Sequence, residues 1–82
     1  SKANVFPNPT DGEINIKKDL SAFNNCILSI FDIEGKEQMR TQIPVSQIVF
    51  KKKIDLLQDG MYLIRIICDD KIIESLNFIV QK

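Results

Sequence analysis

The sequence predicts an all-β domain, and two observations carry that prediction. No stretch keeps helical periodicity for three turns, while about seven short runs of β-branched, aliphatic and aromatic residues alternate with Gly, Pro, Asn and Asp turn signals. The densest run, Gly60 to Cys68, sets Tyr62, Ile64, Ile66 and Cys68 on one face and Met61, Leu63, Arg65 and Ile67 on the other. A strand apolar on both faces belongs inside a sheet that a second sheet covers. About seven short antiparallel strands in a chain of 82 residues point to an immunoglobulin-like β-sandwich, with a small barrel as the rival. That length suits one domain, residues 1–82, with one modest core.

The elements follow in order. Ala3 to Phe6 is a short extended lead-in, and the prolines of Pro7-Asn8-Pro9 hold Phe6 and Asn8 out of the helical region. Thr10-Asp11-Gly12 has turn chemistry, with Gly12 free to take positive φ. Glu13 to Lys17 alternates, with Ile14 and Ile16 inward. Asp19 to Asn25 is a loop whose Leu20 and Phe23 tuck onto the core. Cys26 to Asp32 is a strong strand with Cys26, Leu28 and Ile30 on one face. Ile33 to Lys36 is a tight hairpin with Gly35 at positive φ. Glu37 to Ile43 is a polar edge strand that Pro44 stops.

Gln47 to Ile54 is a further strand with Ile48, Phe50 and Ile54 inward. Lys52 falls on its apolar face, which calls for a bulge or a strand end. Leu56 and Leu57 anchor the corner before Gly60, and Asp69-Asp70 forms a two-residue hairpin loop. Lys71 to Val80 closes the fold with Leu76, Phe78 and Val80 on one face.

Composition narrows function. Eleven basic and eleven acidic residues balance to a formal charge of +0, against the basic excess of sequence-independent nucleic-acid binders. No apolar run nears the roughly 20 residues of a membrane span. No secretion signal opens the chain, so an exported protein would carry one upstream, in a longer precursor of which this is a fragment. There is no His, which removes the commonest general acid–base and metal ligand, and two cysteines cannot close a zinc site alone. No cofactor is implied.

The remaining candidates read as structure. Asp55, Asp59, Asp69 and Asp70 lack calcium-loop spacing and suit solvated turns. Lys51-Lys52-Lys53 suits a guarded sheet edge more than an anion site. Tyr62 suits packing, with its hydroxyl finding a partner at the rim. Cys26 begins one core strand and Cys68 ends another, on the same inner face. If those strands are antiparallel neighbours, a disulfide is geometrically accessible; the alternative is two buried thiols acting as small hydrophobes.

Three motifs in order resemble one family, the type A C-terminal sorting domain of the type IX, or Por, secretion system of Bacteroidota. Phe6-Pro7-Asn8-Pro9-Thr10-Asp11-Gly12 matches its aromatic-Pro-Asn-Pro-x-x-Gly opening, and Leu28 to Lys36 its hydrophobic-x-Ile-Tyr-Asp-x-x-Gly-Lys pattern. Gly60-Met61-Tyr62-Leu63-Ile64-Arg65-Ile66 matches Gly-x-Tyr-x-hydrophobic-x-hydrophobic, and Phe78 to Lys82 its terminal apolar strand with a basic residue. Phe31 stands where Tyr is usual, and the Asp-Leu-Ser-x-Leu lead-in to the glycine is altered at Ile54 to Leu57.

The resemblance implies a non-catalytic folded address at the C-terminus of a secreted precursor. It implies periplasmic transit, recognition by the outer-membrane translocon and shuttle, a cell-surface or secreted destination, and in many members removal by a sortase. The sorting residues it implies are Pro7, Asn8, Pro9, Gly12, Asp32, Gly35, Lys36, Gly60, Tyr62, Phe78, Val80 and Lys82. The last strand, Leu76 to Lys82, is expected as a main contact, open to strand addition by a partner or by a second copy in an edge-strand dimer. The alternative is an immunoglobulin-like or fibronectin-like spacer or binding module beside a secreted hydrolase. The 7% aromatic content and absent Trp weigh against a carbohydrate platform, and the missing nucleophile–base pair weighs against an enzyme.

Overall fold

A computed structural model describes residues 2–82; Ser1, the first residue of the expected domain, lies outside them. Seven strands run through it: β1 (Asn4–Phe6), β2 (Glu13–Lys17), β3 (Cys26–Phe31), β4 (Glu37–Ile43), β5 (Val49–Lys53), β6 (Gly60–Cys68) and β7 (Lys71–Val80). They form two antiparallel sheets, β1-β2-β5 and β4-β3-β6-β7, so the architecture is the sandwich and not the barrel.

The alternation read from sequence sets which faces meet. Ile14 and Ile16 of β2 face Leu28 and Ile30 of β3, Tyr62, Ile64 and Ile66 of β6, and Phe78 and Val80 of β7, all within one buried cluster. Removing each such side chain from water contributes about 1.5–3 kcal/mol, so a one-residue slip of β6 would forfeit several of these at once. β6 lies between β3 and β7, as an apolar strand on both faces should. Its outer face is only half covered, with Leu63, Arg65 and Ile67 half-buried and Met61 exposed. The polar β4 and the lysine-bearing β5 sit at sheet edges.

Three expectations need correction, and one alternative is decided. The fifth strand starts at Val49, and Ile48 stands exposed outside the alternation. For Lys52 the strand end, of the two alternatives, is what the structure shows: it pairs in regular register with Ile14 and is half-buried one residue before β5 stops. The bulges lie elsewhere, at Gln38 in β4 and Ile73 in β7. Leu57 is buried, but Leu56 points into solvent, so only one leucine anchors the corner. Gly12 has no positive φ; the Thr10 side chain makes that turn instead, donating to the Glu13 carbonyl and accepting from the Gly12 and Glu13 amides.

Because β3 and β6 run antiparallel, the start of one meets the end of the other. Cys26 lies directly opposite Cys68, their Cα atoms are 4.1 Å apart, and a disulfide joins them inside the core. This defines one end of the sandwich. The β3–β4 hairpin, the start of β6 and the end of β7 define the other.

Candidate functional site

The twelve candidate sorting residues are scattered from position 7 to position 82, and the topology gathers them at the end opposite the disulfide. Pro7 to Thr10 runs as a strap along the outer edge of β7. The Asn8 side-chain oxygen accepts the Ile79 amide at 2.9 Å, the Thr10 amide donates to the Ile79 carbonyl at 2.9 Å, and Gln81 donates back to the Thr10 carbonyl at 2.8 Å. Thr10 and Val80 form an isolated parallel bridge. The terminal stretch of β7 is therefore not the open edge the sequence suggested: Ile79 and Gln81 already have main-chain partners. The Gly12 carbonyl accepts the Ile54 amide at 2.8 Å and ties the strap to the following corner.

Asp32 organises the hairpin. Its Oδ1 accepts the amides of Glu34 and Lys36 at 2.9 and 3.0 Å, and its Oδ2 accepts the Gln38 amide group at 2.8 Å. The Lys36 amide bond in particular holds the carboxyl below its ordinary range. Gly35 takes φ +85°, a conformation that disfavours any side chain. Asp32 and Gly35 thus build a turn, which leaves Lys36 exposed beside it.

Gly60 opens β6 at φ +154°, again glycine territory. Tyr62 stacks on Phe78 with ring centroids 5.7 Å apart and donates its hydroxyl to the Gln58 carbonyl at 2.6 Å. Lys82 clasps the same corner: its amide donates to Asp59 Oδ1 at 3.1 Å and its ammonium to the Asp55 carbonyl at 2.6 Å. Phe78 and Val80 are fully buried and shape this end from within. Asp69, at the disulfide end, accepts the Asn24 and Asn25 amides and serves the hairpin there. Among the described residues no group of three or more His, Cys, Asp or Glu is placed to hold a metal ion.

The family model for the secretion system C-terminal sorting domain matches residues 4–81, nearly the whole chain. The chain belongs to that family. No curated protein and no solved structure shows significant similarity to it. The sorting domain is a C-terminal signal for type IX secretion, so it implies interaction with that machinery and export to the cell surface or beyond.

Reading the sequence missed several groups that hold this sorting domain together. Thr10 is 1% exposed and is the hub of the strap. Its place beside Asp11-Gly12 was a signal, since Thr hydroxyls commonly bridge such turns. Glu74 sits on the inner face opposite Ile66, 3.0 Å from the Lys18 ammonium, and accepts the Ala3 amide at 2.7 Å. Burial pushes its pKa up, but the Lys18 and Ala3 bonds outweigh that and the net shift is downward. Ser29, fully buried on the outer face of β3, donates to Glu37, which also binds Arg40.

Proposed function

We propose that this domain is the folded C-terminal address of a larger secreted precursor. The cargo reaches the periplasm by an upstream signal, the domain folds there, and the translocon, shuttle and sortase act on it at the outer membrane. The machinery reads the end of the sandwich built by the strap, the β3–β4 hairpin, the Gly60–Tyr62 corner and the close of β7. The convergence of twelve dispersed motif positions on that end carries this reading; a spacer needs no such convergence. Most of the twelve act by shaping: Asp32, Gly35 and Gly60 by making turns, and Phe78 and Val80 from the core. Pro7, Asn8, Pro9, Lys36 and Lys82 lie at its surface.

Strand addition, by a partner or by a second copy, has the Lys71 to Asn77 part of the β7 edge available, because the strap occupies the rest. The test is a periplasm-targeted fluorescent protein fused to this chain, in hosts with and without a working type IX translocon. Translocon-dependent surface or medium fluorescence supports the address. An intact, folded fusion held in the periplasm of both hosts would move the assignment to a spacer or binding module.

A further inference from the structure

Four large apolar side chains stand in solvent around the motif end, and none is among the twelve motif candidates. Ile33 at the hairpin tip is 81% exposed, Leu56 at the corner is 90% exposed, and Met61 and Ile79 are a cross-strand pair exposed on the outer face. They are not scattered singly, as surface apolar residues usually are. Ile33 and Met61 line one shallow groove of about 290 Å³, and Leu56 lines another of about 270 Å³. Asp32 and Tyr62 line both, so the grooves meet along the residues the motifs fix in place.

Charge gives this surface a sign. Ile33 is flanked by Glu34, and Leu56 by Asp55, both exposed carboxylates with no ion pair among the described residues. Of the cations nearby, the Lys82 ammonium sits on the Asp55 carbonyl and the Arg65 guanidinium lies over the Phe31 ring at 5.0 Å, while Lys36 stands exposed on the same hairpin; the four carboxylates Asp32, Glu34, Asp55 and Asp59 outnumber these three. At the other end, exposed Ile48 shares its surroundings with Lys2, Lys17, Asp19 and the Glu74-paired Lys18, and exposed Ile72 follows Lys71. The apolar tips at the motif end thus sit beside carboxylates that have no ion pair among the described residues, with a small local excess of acidic over basic side chains.

The geometry points to Ile33, Leu56 and Met61, rimmed by Glu34 and Asp55, as the docking face for a protein of the export machinery that presents lysine or arginine around an apolar surface. This rests on the sorting reading above and names the contact: the motifs hold the face in shape, and these non-motif side chains touch the partner. Complementary charge at the rim chiefly sets partner choice and the rate of encounter, while the buried aliphatic contacts hold the complex.

The experiment compares export of the reporter fusion carrying Ile33→Ser with Leu56→Ser, Glu34→Lys with Asp55→Lys, and, as control, Ile48→Ser with Ile72→Ser. All six positions are exposed, and unchanged melting of each purified domain confirms the fold. The two motif-end pairs should each lower export about tenfold or more, and the control pair should leave it within about twofold. Binding of the purified domain to outer-membrane vesicles that carry the machinery should weaken as salt rises. Normal export of both motif-end pairs, or equal loss with the control pair, overturns the proposal. So does a motif-end pair that turns a dimer into a monomer in sedimentation without changing export, because the face would then be a self-contact. A wild-type fusion that is never exported defeats the sorting reading itself, and this inference with it.

Discussion

Gly60 and Tyr62 show how a recognition motif works through backbone geometry. At φ +154° Gly60 occupies a region nearly closed to side chains. Gly60→Ala should therefore cost about 1–3 kcal/mol in denaturant unfolding, although a Cβ there would meet only Tyr62, at 4.0 Å. Tyr62→Phe keeps the stacking on Phe78 and removes the bond to Gln58, so it should cost about 1 kcal/mol by the same measurement. Tyr62 was legible as packing with a rim hydroxyl because alternation fixed its face. Leu56 was not, since one residue of phase in a corner decides whether a leucine is in or out, and no periodicity runs there. Thr10 carried a turn signal, but its tie to β7, seventy residues away in sequence, is a product of topology.

At the scale of elements, strand existence and facing were readable wherever apolar and polar residues alternated cleanly, as in Glu13 to Lys17 and Gly60 to Cys68. Register was not, because bulges leave no reliable mark: Ile73 is one apolar residue among several, yet it puts Glu74 opposite Ile66. The disulfide depended on register too, and so stayed an alternative to two thiols. It staples β3 to β6 across a sequence separation of 42. In the chain-entropy account, closing a loop of that length stabilises the domain by about 4 kcal/mol. Cys26→Ser with Cys68→Ser should lower the unfolding free energy by about that amount or more, since two hydroxyls then enter an apolar site. An unfolding midpoint equal to wild type would show that the strands need no staple.

Across the whole molecule, four carboxylates titrate below their ordinary values in the fold. Ser21 lowers Asp19, the Lys36 amide lowers Asp32, and the Ser29 hydroxyl lowers Glu37. At Glu74 the bonds from Lys18 and Ala3 overcome burial. A carboxyl whose folded pKa is depressed stabilises the fold above its unfolded value and loses that contribution as pH falls through the folded value. The melting temperature should thus stay level near neutrality and fall once pH drops below 3.8 for the aspartates and 4.5 for the glutamates. A melting temperature that rises in that range would contradict the hydrogen-bonding assigned to them. The sandwich, the family and the motif positions were legible in the sequence. Their meeting at one end was not, because it follows from how seven strands pair, and the exposed apolar side chains there stand at or beside positions the motifs leave open. The proposed address requires that export depend on this folded end and not on a linear tail. Ile64→Asp tests it most directly, because it buries a charge between β3 and β7 and leaves residues 71–82 unchanged. The measurement is translocon-dependent export of the reporter fusion with this variant, alongside the amount of intact fusion retained in the cell. Retained, intact and unexported fusion is the expected result; export at the wild-type level from an unfolded domain would mean that a linear tail suffices.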